Sequence, residues 1–149
     1  MNATPEAVAR VVRFFETLSL ADVPRLGEIY ATDAFFKDPF NEVRGVPQIA
    51  RIFGHMFEQV EAPRFVVHES VAQGDAAFLT WDFVFAFHRP LPPGTRTVRG
   101  CSHLRFGADG RVAFHRDYWD AAEELYEKIP VLGALMRALR RRGALPDPR

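Results

Sequence analysis

The chain is short of several things that would narrow its function at once. It has a single cysteine, Cys101, in 149 residues. One cysteine excludes a disulfide framework and a thiolate zinc site. Cys101 reads as a small strand residue, with a catalytic thiol as the lesser alternative. Lysine is nearly missing: only Lys37 and Lys128 stand among 19 basic residues, the rest being arginine. We read this as compositional bias. There is also no excess charge of either sign, because 19 basic residues balance 19 acidic ones. The chain as a whole therefore has no electrostatic pull towards nucleic acid, and none is expected as a partner.

Long apolar runs are missing too. Glu6, Arg10, Arg13, Glu16 and Asp22 interrupt the first 25 residues, so no export signal is read there. The longest apolar stretch near the C-terminus, 129–136, falls far short of the roughly 20 residues that span a bilayer. A cytoplasmic protein is the expectation. What the chain does have is phenylalanine, 14 residues of it, within an otherwise ordinary globular composition. Most of these rings must be buried, around a core or around something wider.

The apolar spacing changes period along the chain. Residues 4–20 read as a helix with Thr4 as cap, Pro5 in the first turn and Val8, Val11, Val12, Phe15 and Leu18 on one face. A second helix is expected after Asp22, with Leu26, Ile29 and Tyr30 turned inward until Ala31-Thr32-Asp33 breaks it. Ala34–Asp38 reads as a short strand ended by a turn at Asp38-Pro39-Phe40-Asn41. A third helix spans about 46–60, with Ile49, Ile52, Phe53, Met56, Phe57 and Val60 as its stripe. Beyond 64 four long strands follow: 65–72, 76–88, 95–106 and 111–119, the last two joined by the Ala108-Asp109-Gly110 hairpin signal. Residues 121–142 return to helix, with interruptions at Pro130 and Gly133. Segregated helices and strands of this kind define an α+β domain, here a single one over 1–149.

Phe14-Phe15, the stretch Leu26–Asp38 (LGEIYATDAFFKD), Gly45–Phe57, the Cys101–Phe106 strand and the Gly110–Trp119 strand together carry a resemblance. Over about 5–120 the chain resembles the nuclear-transport-factor-2-like superfamily, in its SnoaL-like and ketosteroid-isomerase-like branch. The resemblance implies a cone: a curved, mostly antiparallel sheet, a cystatin-like roll, wrapped around the N-terminal helices. Here an extra C-terminal helix is added. It further implies a pocket for a small, largely apolar molecule, no cofactor, and a homodimer formed through the outer sheet face. Fold alone does not choose a reaction. Isomerase, cyclase or hydratase acid–base chemistry is one expectation, and a non-catalytic binding or dimerisation module is the other.

The resemblance puts Asp38 where ketosteroid isomerases carry their general base. Phe14 stands where they have an oxyanion-stabilising Tyr, and Ser102 where they have a protonated Asp. Phe cannot donate a hydrogen bond, so that oxyanion arrangement is not reproduced. Strand alternation puts His115, Asp117 and Trp119 on one face of the last strand, which the resemblance makes the concave one, together with Gly100, Ser102 and Leu104. In the strand 76–88 it places Thr80, Asp82 and Val84 inward. The opposite parity, with Trp81, Phe83 and Phe85 inward, stays open.

The candidate catalytic residues are thus Asp38, His115 and Asp117, and the candidate ligand-binding residues are Phe14, Ser102, Trp119, Phe53 and Phe57. Each has a plainer reading. Asp38 can cap a turn, Asp117 can pair with Arg116, Arg99 or Arg105, and His115 can be a bonded core histidine. His103, of opposite parity to Ser102, is expected on the outer face. His115, Asp117 and Asp38 are also a conceivable metal triad, but no metal is assigned. In the C-terminal segment Glu123, Glu124 and Glu127 lead, and Arg137, Arg140, Arg141 and Arg142 close, matching a helix dipole. Packing on the cone or on a partner is the first reading of this helix. Contact with a membrane surface is the alternative.

Overall fold

The computed structural model describes residues 1–124 and 130–144, which form two compact units, Met1–Tyr118 and one beginning at Trp119. In the first unit, helix α1 (Pro5–Glu16) starts at Thr4, whose side-chain oxygen accepts from the Ala7 N–H at 3.2 Å. This cap satisfies one of the first-turn amides that a helix leaves unbonded. Ala7, Val8, Val11 and Phe15 are its buried face. The helix ends four residues before the expected limit. A 3-10 helix over Leu20–Glu28 follows, fixed by Asp22, whose Oδ2 accepts from the Ser19 N–H and hydroxyl, both at 2.9 Å.

The next step corrects the sequence reading. Tyr30 is not the inward side of a second helix. It opens strand β1 (Tyr30–Lys37), and Ala31-Thr32-Asp33 continues that strand instead of breaking it. Leu26 and Ile29 are buried as expected. A three-residue strand, β2 (Glu42–Arg44), not read from the sequence, pairs back on β1. Gly45, at φ +94°, then turns the chain into α2 (Val46–Gln59), a conformation open to glycine with little strain. Strands β3 (Val60–Gln73), β4 (Ala76–Phe87), β5 (Thr95–Phe106) and β6 (Val112–Tyr118) complete the unit.

The six strands form one curved, open sheet in the order β2-β1-β6-β5-β4-β3. All neighbours are antiparallel except β1 and β6, which run parallel with Phe36 beside His115. The parallel join closes the topology by bringing the last strand against the first. Helix α1 packs over β3, and α2 packs against β1 and β3. The core between helices and sheet contains Val11, Phe15, Tyr30, Phe36, Ile49 and Leu104, all buried. Burying a Phe or Leu side chain of this kind stabilises the fold by roughly 1.5–3 kcal/mol each.

In β4 the parity is the reverse of that placed by the resemblance. Ala77, Leu79, Trp81 and Phe85 are buried, whereas Thr80, Asp82 and Val84 are not. Asp82 meets the His68 Nε2 of β3 at 3.1 Å. The reason lies on β5. Gly100 is the cross-strand neighbour of Trp81, and it leaves the room that the indole fills.

In the second unit Asp120 Oδ1 accepts from the Glu123 N–H at 3.0 Å, starting the short helix α3 (Ala121–Glu124). Helix α4 covers Pro130–Gly143 without a break at Gly133, and Leu135 and Leu139 on it are exposed. Arg140 reaches Glu123 at 3.9 Å. Glu127 and Ile129 lie outside the described residues. No described helix is long and apolar enough to cross a membrane.

Candidate functional site

The buried face of the sheet is apolar except along one line. Cross-strand pairing sets Leu104 against His115 and Ser102 against Asp117, so the four side chains share a face. On β1, Tyr30 joins them from the other side of β6. The polar groups are linked end to end. Tyr30 Oη lies 2.6 Å from His115 Nδ1, and His115 Nε2 lies 2.6 Å from Asp117 Oδ1. Ser102 Oγ donates to the same Asp117 oxygen at 2.5 Å, and the Trp81 indole N–H donates to Ser102 Oγ at 2.8 Å. Five side chains from four strands thus form one continuous chain.

Aromatic rings surround it. The Tyr30 and His115 rings are stacked, 5.8 Å apart. Phe36 meets the imidazole edge-on at 4.8 Å and Phe15 at 6.0 Å. Phe53 packs on both of those phenylalanines, and Phe65 stands between Phe15 and Trp81. A low-dielectric wall of this sort strengthens each hydrogen bond and makes any unpaired polar group expensive. Asp117 is the most open member, with 18% of its side chain exposed against 5% for His115. The chain therefore leads from buried Tyr30 and Trp81 towards a carboxylate that solvent can reach.

Burial, and secondarily the Asp117 charge, holds the Tyr30 phenol well above its ordinary pKa. Tyr30 therefore keeps its proton in the folded protein at pH values where the unfolded chain, with a phenol pKa of about 10, loses it. Above that pH the unfolded state binds fewer protons, so stability falls as pH rises, by about 1.4 kcal/mol per unit. Below it the contribution is fully present. Denaturant unfolding between pH 9.5 and 11 is expected to show this slope in the wild type. Tyr30→Phe should remove one proton's share of it; identical slopes would show that Tyr30 ionises freely in the folded state.

The other singled-out residues fall in different places. Phe53 belongs to the ring wall, while Phe57 is half-buried further along α2. Phe15 faces His115, and its neighbour Phe14 is half-exposed, touching the Phe15 ring edge-on at 5.8 Å. Trp119 opens the second unit. Asp38 directly follows β1, one residue past the Lys37–Arg116 pair, and its carboxylate is engaged locally. Oδ1 accepts from the Phe40 N–H (2.8 Å), the Asn41 N–H (2.7 Å) and the Asn41 side chain (3.1 Å). Oδ2 accepts from the Asn41 side chain, at 3.2 Å. This is the side-chain turn that Asp supports ahead of a reversal.

Asp117 pairs with His115 and not with a neighbouring arginine; Arg116 instead lies over the Tyr118 ring at 4.7 Å. Cys101 is half-buried in β5, and burial first, then the Asp117 charge, pushes its thiol up. That is the reverse of an activated nucleophile. Among the described residues no three His, Cys, Asp or Glu side chains gather as a metal-holding group.

Sequence reasoning missed Tyr30 and Trp81 as members of the chain. The signal for Trp81 was Gly100, the only residue type that leaves space for an indole across the strand pair. Tyr30 gave no such signal, because its spacing from Leu26 fits a helix as well.

A curved open sheet of six strands with one parallel join, packed against helices, is the cone fold of NTF2-like and ketosteroid-isomerase-like proteins. Residues 11–115 match the SnoaL-like domain, and the chain belongs to that family. Solved structures agree on the fold. A hypothetical protein of ketosteroid-isomerase-like fold from Catenulispora acidiphila DSM 44928, in complex with trimethylamine, is similar with TM-score 0.69 and 18% identity, over 83% of this chain and 92% of its own. A provisionally assigned SnoaL-like polyketide cyclase from Shewanella putrefaciens CN-32 gives TM-score 0.68 and 17% identity over 82% and 97%. An LEH-like epoxide hydrolase from M. tuberculosis gives 0.64 and 20% over 89% and 94%. No curated protein matches the sequence.

Proposed function

We propose that this protein binds a small, largely apolar molecule within the cone and catalyses a cofactor-independent acid–base reaction on it, of the isomerase, cyclase or hydratase kind. The observation that carries this reading is the chain Tyr30–His115–Asp117–Ser102–Trp81, buried in an aromatic wall and ending on a partly open carboxylate. Polar groups are costly in such a setting unless fully bonded. The similar folds include a protein assigned as a SnoaL-like polyketide cyclase and an LEH-like epoxide hydrolase, so the fold is compatible with an enzyme.

Asp117 is the proton-transfer group in this reading. Its Oδ1 is held by two donors from the chain, and Oδ2, which has no hydrogen-bond partner among the described residues, is the atom it offers to a ligand. Asp38, expected as the general base, has its Oδ1 committed to three N–H donors and serves as a second carboxylate at the end of β1. The test is a turnover screen on small cyclic alcohols, hydroxyketones and epoxy alcohols, repeated with Asp117→Asn and Asp38→Asn. The account expects turnover to depend on Asp117. Turnover that survives in Asp117→Asn and dies in Asp38→Asn would move the base to Asp38.

We also propose a homodimer through the outer sheet face. Phe78 and His103 stack there at 4.5 Å, Phe114 meets His103 at 5.1 Å, and Phe35 stacks on Phe114 at 5.3 Å. Phe78 is 45% exposed, and His103 Nε2 is buried with no hydrogen-bond partner among the described residues. A row of stacked rings that is open at Phe78 and half-buried at His103, Phe114 and Phe35 suits an interaction face. Phe78→Asp should convert a dimer to a monomer in sedimentation velocity. A wild type that sediments as a monomer at tens of micromolar contradicts the proposal.

A further inference from the structure

The hydrogen bonds of the buried chain can be given a direction. A Trp indole only donates, so Ser102 Oγ must accept from Trp81 and spend its own proton on Asp117. At the other end, His115 Nε2 faces a carboxylate oxygen at 2.6 Å. A bare nitrogen there would set two lone pairs against each other, so Nε2 carries the proton and donates. The remaining question is Nδ1, 2.6 Å from Tyr30 Oη. If Nδ1 also carried a proton, the fully buried Tyr30 hydroxyl would accept it and leave its own hydrogen without an acceptor, since His115 is its one hydrogen-bond partner among the described residues. Stranding a buried donor is unfavourable. Tyr30 therefore donates, and His115 is neutral with its proton on Nε2. Every donor in the chain points towards Asp117: Tyr30 to His115 to Asp117 from one side, and Trp81 to Ser102 to Asp117 from the other.

We propose that Tyr30 and Trp81 are positioning residues that fix this polarity, making Asp117 Oδ2 an acceptor-only contact, and that the site consequently selects ligands presenting a hydrogen-bond donor, such as an alcohol, over those presenting only an acceptor. The inference rests on the small-molecule reading above and deepens it. All four buried donors, the Tyr30 and Ser102 hydroxyls, the His115 Nε2–H and the Trp81 N–H, are spent inside the chain. None is left to meet a carbonyl or a developing oxyanion. An apolar molecule with a hydroxyl can satisfy Oδ2, whereas its ketone counterpart brings a lone pair against a carboxylate.

Two measurements test this. The first needs no ligand. Nitrogen-15 spectra of labelled protein are expected to show His115 with Nε2 protonated and Nδ1 unprotonated but hydrogen-bonded. Tyr30→Phe, which keeps the ring and removes only the hydroxyl, should move the Nδ1 resonance and leave Nε2 bonded to Asp117. A protonated Nδ1 in the wild type, or an Nδ1 resonance unmoved in Tyr30→Phe, overturns the polarity. The second compares cyclohexanol with cyclohexanone by titration, followed at the Trp81 indole N–H resonance. A hydrogen bond to a charged acceptor supports an affinity ratio of about tenfold or more in favour of the alcohol. Equal affinities, or a preference for the ketone, overturn the selectivity. If neither probe binds, the selectivity falls together with the small-molecule reading, and the nitrogen-15 result still decides the polarity.

Discussion

Asp117→Asn is expected to lower turnover on any substrate found for this protein by two to four orders of magnitude, the range that a positioned general acid or base contributes. The side chain keeps its size, so the aromatic wall stays in place. What changes is the chemistry of the acceptor. An amide cannot take a proton near neutrality, and it is a weak acceptor for the two donors converging on it from Ser102 and His115. Asparagine can also turn its NH2 towards His115, which forces a proton from Nε2 to Nδ1 and sets His115 against the Tyr30 hydroxyl. The cost to stability is about 1–3 kcal/mol, the range for leaving a buried donor unsatisfied. Steady-state rates read the first effect and denaturant unfolding the second. Asp38→Asn leaves an acceptor for the turn 38–41 and should change the rate only a few-fold.

The second large effect is structural and comes from one hydrogen atom's worth of space. Gly100→Ala would place a methyl group about 2.6 Å from Trp81 Cζ2 and 2.8 Å from Cζ3, closer than carbon atoms pack. The indole must move, and the buried space around it is already occupied by Phe65. Overpacking of this kind costs about 1–3 kcal/mol. Displacing the indole also breaks its bond to Ser102, adding the loss of a bonded buried donor. Urea unfolding should show the summed destabilisation, and Trp emission should shift as the ring leaves its site. An alanine variant as stable as the wild type, with unchanged emission, would mean that the strand pair absorbs the methyl and that Gly100 does not hold the indole.

How much was legible in the sequence follows from which forces act locally. Helix α2 and strands β5 and β6 stood out because their apolar residues repeat at the period of the element, with a turn signal at Ala108-Asp109-Gly110. Alternation put His115 and Asp117 on one face of the last strand, and the resemblance set Ser102 of the preceding strand beside them. Strand β4 was different: Phe, Trp, Val and Leu occupy both parities, so alternation carried no sign. The residue that decided it, Gly100, sits on the neighbouring strand. Tyr30 was harder still. Its spacing from Leu26 is helical, and the Ala-Thr-Asp that follows usually breaks structure. Pairing with β6 at the far end of the domain makes it a strand. Such a contact is paid for in chain-closure entropy and returned in burial, neither of which a local window sees. Asp38 shows the opposite case: the resemblance made it the expected base, and its own turn engages the carboxylate.

The most direct test of the central claim is chemical-shift mapping of small apolar fragments on the nitrogen-15-labelled protein. The account predicts that bound fragments perturb Trp81, Ser102, His115, Asp117 and the adjoining residues of β1, on the concave side of the sheet. Perturbations confined to Phe78, His103 and Phe114 on the outer face, or none at all up to millimolar fragment, would contradict it and leave the cone as a packed core.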